Sequence, residues 1–342
     1  AGGGGPRRSR PGAGGSSAAA HTGSTALKRP LASVFLLSGI LLASPPPASL
    51  PSRSAELDAF LSSVAQNAVA EFRDKGLAAE GLSVSLIELS GDSPRSGSYR
   101  GDASYYPASV VKTFYLVYYE AEKEAGRLRD TPEIARAVKD MITLSSNDAT
   151  GFVVDVVTGT TSGPELSGGA WEDWKARRNA VNRFFQARGY GDVNANQKTF
   201  CEDAYGREQE FRDGGKNRNR MSSDSVARLF AEITAGRLAG PAGTAEMLGL
   251  LSRDVTPAKP FEDMEPEDAR LAGHGLPAGT KFWSKSGDAY DVHHLVARIA
   301  LPGGADFVLA VFTRGVKTVP DVIPSIYAKV AARYAADEAG ER

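Results

Sequence analysis

The sequence predicts an α+β fold of two lobes: an antiparallel sheet built from both chain ends and flanked by helices, with an all-helical lobe inserted between its halves. Period-2 alternation appears early, at residues 82–89, and returns only after residue 281. Between these stretches lies a long region of helical periodicity, and helical patterns also open and close the organised part of the chain, so the sheet has to be assembled from both ends. With 342 residues, 42% hydrophobic and 24% charged, the chain can bury such a core and shows no sign of disorder, collagen or many membrane spans.

The elements follow in order. Residues 1–30 are rich in Gly, Ser, Ala and Arg, and Leu31 to Ala43 then form an apolar run directly behind Lys28 and Arg29. The run is shorter than the ~20 apolar residues of a spanning helix, and the prolines from Pro45 to Pro51 break any continuing helix. This order is that expected of a secretory signal peptide, with an uncleaved N-terminal anchor as the rival reading. Residues 1–50 are therefore read as a low-complexity region with a signal peptide, and 54–342 as a single domain working in the periplasm or outside the cell. From Ser54, the residues Leu57, Phe60, Leu61, Val64, Val69 and Phe72 recur at helical spacing, with Gly76 as a stop. Leu82 to Leu89 alternates as a strand, and Ser90 to Gly97 reads as a turn cluster. Ser109 to about Leu251 is mostly helical in pattern, with Gly163 to Gly169 and the polar stretch Asp213 to Asn219 as surface loops. Strands return at Lys281 to Ser284, Val292 to Leu301 and Asp306 to Thr313, and a helix from Pro320 to Glu338 ends the pattern.

Composition removes several classes of function. Arg7, Arg8, Arg10, Lys28 and Arg29 precede the first acidic residue, Glu56; without these five the remaining 35 basic residues face 41 acidic ones. A mildly acidic body argues against a nucleic-acid surface. Cys201 is the only cysteine, so no intramolecular disulfide and no Cys-ligated zinc site can form, and its ordinary reading is a small buried residue. The histidines are His21, His274, His293 and His294; the last two are adjacent and on a strand point to opposite faces. No HExxH, Gly-rich phosphate loop or GxSxG elbow is present.

Three short signals remain. In Pro107-Ala-Ser109-Val-Val-Lys112, a serine in a first helical turn shares one face with a lysine at i+3. A serine hydroxyl is a poor nucleophile until a base takes its proton, and an amine in a partly desolvated pocket can serve; the bland reading is a capping serine and a solvated lysine. In Met141-Ile-Thr-Leu-Ser145-Ser146-Asn147-Asp148, an apolar stretch ends in four small polar residues. A helix terminus with an Asx turn explains it fully; the alternative makes Ser145 a proton shuttle and Asn147 a substrate-orienting amide. In Trp283-Ser-Lys285-Ser286-Gly287-Asp288, a strand leads into a turn, where Lys285 and Ser286 could hold a carboxylate and Gly287 could admit a close backbone approach.

Together and in this order, the three resemble the S-x-x-K, S-x-N and K-[T/S]-G elements of the serine β-lactamase and penicillin-binding protein superfamily, and class A β-lactamases above all. Met141 to Ser145 resembles the methionine-initiated run into the S-D-N motif of that class, and Gly163-Pro-Glu-Leu166 resembles the start of its next helix. The resemblance spans roughly Ala55 to Ala335. It implies a β-lactamase/transpeptidase-like fold, with Ser109 acylated, Lys112 assisting its deprotonation and Ser145 relaying a proton to the leaving nitrogen. It further implies that Lys285 and Ser286 receive the substrate carboxylate, and that the amides of Ser109 and Ala289 form the oxyanion hole.

Class A enzymes release their acyl-enzyme with a glutamate in an E-x-x-L-N motif, which this sequence lacks. Glu202, between the helical stretch Ala180 to Arg188 and the next helix near Ser222, occupies the corresponding place, with Gly206 where the asparagine is expected. Ser146 replaces the aspartate of S-D-N, and Ser162 to Arg178, carrying Trp171 and Trp174, is an insertion beside the site that reads as a packed amphipathic helix or as an aromatic rim. Arg298 lies too far along its strand for the carboxylate-assisting arginine of the family. The implied substrate is a small β-lactam or a D-Ala-D-Ala-like wall peptide, bound by a monomer off the membrane without metal or cofactor. A class A-like β-lactamase leads; a D,D-peptidase or other serine amidase or esterase with slow deacylation, and a non-catalytic penicillin-binding sensor, stay open.

Overall fold

Ser54 caps the first helix by accepting a hydrogen bond from the Leu57 amide (3.3 Å), and α1 (Ala55–Phe72) buries Leu57, Leu61, Val64 and Phe72 at the predicted spacing. The computed structural model describes residues 50–91, 93–200, 204–254, 276–316 and 319–340; the signal-peptide segment, Cys201 and Glu202 lie outside the described residues.

Seven strands among the described residues form one sheet: β1 (Ser52–Arg53), β2 (Leu82–Glu88), β3 (Arg95–Tyr99), β4 (Ser252–Arg253), β5 (Lys281–Ala289), β6 (Val292–Ala300) and β7 (Asp306–Arg314). Their order is β1-β3-β2-β7-β6-β5-β4, antiparallel except for the short β1–β3 pair. The join between early and late strands is β2 against β7, where Val84 faces Val311 and Leu86 faces Leu309. Sheet assembly from both ends of the chain is therefore observed, and the fold is the α+β arrangement expected.

Two readings of the strands are corrected. Arg95 to Gly97, read as turn, belongs to β3, because pairing to both β1 and β2 overrides the weak strand preference of Ser and Gly. The strand read as ending at Ser284 continues to Ala289, since β6 pairs with it residue by residue through Ala289–Val292. Alternation in β2 also misleads about solvent. Leu82, Val84 and Leu86 pack under α1 and α10 (Val322–Gly340), yet Ser83 and Ser85 are buried too, bonded at 2.6 and 2.7 Å to Ser223 on the opposite face. That face carries α8 (Ser223–Thr234), with α9 (Pro241–Leu251) against β5, and α2 (Lys112–Glu124), α3 (Pro132–Thr143) and α4 (Asn147–Thr158) share one core with them. Helices α5 (Gly168–Arg178), α6 (Ala180–Gln186) and α7 (Arg207–Arg212) complete the helical lobe.

Candidate active site

Ser109 lies in a single 3-10 turn (Ala108–Val111) that runs directly into α2, so Lys112 is the first residue of the α-helix and stands one turn from the serine. Backbone strain brackets this pair. Ala108 has φ +47° and Ser145 φ +52°, in the left-handed region that residues with a Cβ avoid, at a cost of roughly 1–2 kcal/mol each. Such strain persists only where the surroundings over-determine the backbone, and both residues adjoin or belong to the first two signals.

Lys112 is fully buried and ties those signals together. Its Nζ donates to the Ser145 carbonyl (2.5 Å), to Asn147 Oδ1 (2.9 Å) and to Ser145 Oγ (3.2 Å). The bland reading of a solvated lysine is thereby excluded. Ser146, standing where the family has aspartate, caps α4 by accepting from the Ala149 amide (3.2 Å), which leaves Ser145 and Asn147 on either side of the helix start.

The third signal lies along β5. Gly287 packs on the Ser109 turn so closely that a Cβ there would meet the Pro107 carbonyl oxygen at 2.6 Å and the Ser109 nitrogen at 3.1 Å. The close approach that demands glycine is thus that of the protein's own Ser109 turn. Lys285 and Ser286 are buried, and Lys285 Nζ donates to the Ser286 carbonyl (3.0 Å). Ser109, Asn147 and Ala289 line a cleft of about 180 Å³; Lys112, Ser145, Lys285, Ser286 and Gly287 stand outside that lining.

His294, reached by no motif, fixes the approach to Ser109. Thr313 donates its amide to His294 Nδ1 (3.2 Å), so Nε2 carries the proton and donates to the Tyr106 carbonyl (2.9 Å). Burial holds this imidazole down to about 4, keeping the ring neutral, and it stacks on Phe312 at 4.2 Å. His293 points to the other face and bonds Asp288 (2.9 Å). Arg298 grips Asp306 with two hydrogen bonds (2.6 and 3.0 Å) and lies over Trp283, well away from the cleft lining.

The opposite wall is held by side chains. The insertion forms helix α5, whose Trp174 is buried, stacks on Trp171 at 5.5 Å and meets Phe211 edge-on. It delivers Arg178, fully buried, to Glu208 (2.7 Å), Asp155 (3.0 Å) and Thr160 (2.9 Å). Lys198, on the cleft, bonds Asp155 (2.5 Å) and Ser162 (2.8 Å); burial pushes the Asp155 carboxyl up despite both cations. Asn219, at the end of a stretch read as surface loop, is in fact buried. Its Oδ1 accepts the amides of Asn196 (3.1 Å) and Gln197 (2.9 Å), because the loop's backbone groups need partners away from water. Gly206, in the place of the expected asparagine, has φ +54° and sits against the Gly163 carbonyl, where a Cβ would clash at 2.1 Å. Tyr106, Arg212, Arg218 and Tyr290 also line the cleft and were not singled out by the sequence, whose motifs carry no trace of them. Among the described residues no group of three or more His, Cys, Asp or Glu side chains could hold a metal.

A family model described as "Beta-lactamase enzyme family" matches residues 130–334, more than half of the chain, starting beyond Ser109 and Lys112. A search of curated proteins finds no significant match. Among solved structures, a β-lactamase from Sphaerobacter thermophilus aligns with TM-score 0.56 at 20% identity, over 78% of this chain and 95% of that one. A PBP-A variant solved as an acyl-enzyme complex with penicillin G gives 0.57 at 18%, over 81% and 97%. The TLA-1 extended spectrum β-lactamase gives 0.59 at 14%, over 80% and 99%. At such identities the likeness is one of fold.

Proposed function

The chain belongs to the β-lactamase enzyme family, and from that premise we propose that it is a class A-like serine β-lactamase that opens the β-lactam amide through an acyl-enzyme on Ser109. The observation that carries this reading is the lysine hub: Lys112 begins α2 one turn from Ser109 while its Nζ reaches Ser145 Oγ and Asn147 Oδ1. In its amine form Lys112 takes the Ser109 proton as Oγ attacks the carbonyl carbon. The developing oxyanion is received by the amides of Ser109 and Ala289, a role supported by their shared place on the cleft and by the contact of Gly287 with the Ser109 turn. As the C–N bond breaks, the proton passes through Ser145 to the leaving nitrogen, with Lys285 and Ser286 holding the carboxylate. Water then cleaves the ester; Glu202 is the proposed base for that step. A leader segment exporting the enzyme to the periplasm or medium belongs to the same proposal.

Purified protein is expected to turn over a chromogenic cephalosporin, and Ser109→Ala to lose at least ~10³ of that rate. Sustained turnover by the alanine variant would refute the mechanism. One observation favours slow release as a second reading: Gly206, where the class A asparagine is expected, is pressed on the Gly163 carbonyl so closely that a Cβ would meet it at 2.1 Å, so no asparagine side chain fits there. Under that reading, that of a penicillin-binding peptidase, mass spectrometry finds a persistent Ser109 adduct, and Glu202→Gln leaves its lifetime unchanged.

A further inference from the structure

The hairpin end of the cleft is cationic on an otherwise acidic protein. Arg212 and Arg218 line the cleft with Lys198, and among the described residues Asp288 is the one acid facing them, while Lys198 is already neutralised by Asp155 and Glu208. Among the described residues neither Arg212 nor Arg218 has a carboxylate partner. The Arg218 guanidinium packs instead into the corner made by two rings, 4.1 Å from the Tyr106 centroid and 4.8 Å from that of Tyr290, the two centroids themselves being 5.9 Å apart. A guanidinium has five N–H donors, so contact with two rings and one phenol hydroxyl leaves several for a planar anion.

An independent feature points the same way. Tyr290 is the first residue of the two-residue turn between β5 and β6 and has φ +53°, the place where hairpins ordinarily use glycine. It is also 67% exposed, so neither packing nor backbone preference accounts for a tyrosine there. Its contacts are the Tyr106 ring at 5.9 Å and Arg218.

We propose that Arg218, held against Tyr106 and Tyr290 and assisted by Arg212, is a second anion subsite, selecting substrates that carry a carboxylate on the acyl side of the scissile amide. The proposal rests on the reading of Ser109 and Lys285 given above. Gly287, against the Ser109 turn, lies midway along β5 between Lys285 and Ala289, which are about 13 Å apart at ~3.3 Å per residue. With the leaving-side carboxylate at Lys285, the far end of the strand receives the acyl side. The substrate is therefore a dianion whose charges flank the reacting carbonyl.

The test compares benzylpenicillin with α-carboxybenzylpenicillin, which differs by one acyl-side carboxylate, through their second-order rate constants for acylating Ser109. The ratio of dianion to monoanion is expected to fall about tenfold in Arg218→Ala, the size of one charge-assisted hydrogen bond. It should fall less in Arg218→Lys and Arg212→Gln, which keep the fold within reach if the alanine variant is unstable. A ratio within twofold of wild type in all three variants would overturn the subsite. If neither penicillin acylates, the Ser109 reading fails instead, and NMR titration of both compounds into Ser109→Ala decides the subsite alone: tighter binding of the dianion, lost with Arg218→Ala, upholds it, and equal binding removes it.

Discussion

The two walls of the cleft are held by different physics. The wall that carries Ser109 is set by backbone: a strained 3-10 turn, a strand pressed onto it at Gly287, and a neutral histidine gripping the Tyr106 carbonyl. The facing wall is set by buried polar side chains, with Asn219 and Asn182 saturating loop amides and Arg178 binding two carboxylates. Backbone contacts leave almost no choice of residue, whereas a polar network can be rebuilt from other residues provided each group stays satisfied. The first wall is therefore the one that short motifs describe.

Breaking the facing wall should cost most in stability. Arg178→Met leaves the buried Glu208 with only Lys198, at 3.5 Å, as a cation that it must share with Asp155, for a loss of about 3–5 kcal/mol in chemical denaturation. If the variant unfolds at the wild-type denaturant concentration, that network is not what holds the wall. Breaking the Ser109 wall should instead cost chemistry. Gly287→Ala forces the strand off the Pro107 carbonyl and separates the Ser109 and Ala289 amides, lowering the acylation rate by about 10²–10³ with circular dichroism unchanged. A rate near wild type would show that the strand is free to shift.

A smaller, pH-dependent effect sharpens the contrast. The His294 imidazole is held at about 4 against an ordinary 6.5, so the unfolded chain takes up a proton that the folded chain refuses. The stabilisation is complete above pH 6.5 and is lost as pH falls toward 4, on the order of 3 kcal/mol in all. His294→Gln should lower stability at neutral pH and flatten this slope between pH 6.5 and 4; an unchanged slope would assign it to other groups.

These differences explain what was legible. Helical spacing found α1, alternation found β2, β6 and β7, and the order of motifs picked out Ser109, Lys112, Ser145, Asn147 and Lys285 to Gly287, of which Lys112, Ser145 and Asn147 are bonded together and Gly287 packs on the Ser109 turn. The start of β3 stayed hidden because Ser and Gly become strand there only through two neighbours. Asn219 passed for surface because polarity in a loop sequence does not reveal that the loop is covered. Tyr106, Arg218 and Tyr290 come from three separate segments and meet only in space. Glu202 rests on its place in the chain, outside the described residues.

The seam between β2 and β7 has a temporal consequence. Residues 82–88 pair with 307–313, so more than 200 residues must be synthesised before the middle of the sheet can close. Contacts of such sequence separation form slowly, while helices α2 to α9 consist of local contacts available much earlier. Until β7 emerges, β2 presents Leu82, Val84 and Leu86 on a strand with one unpaired edge. A chain truncated between Ala289 and Asp306 therefore retains every motif residue yet lacks the strand that closes its sheet, and is expected to be lost to aggregation or proteolysis rather than to work weakly.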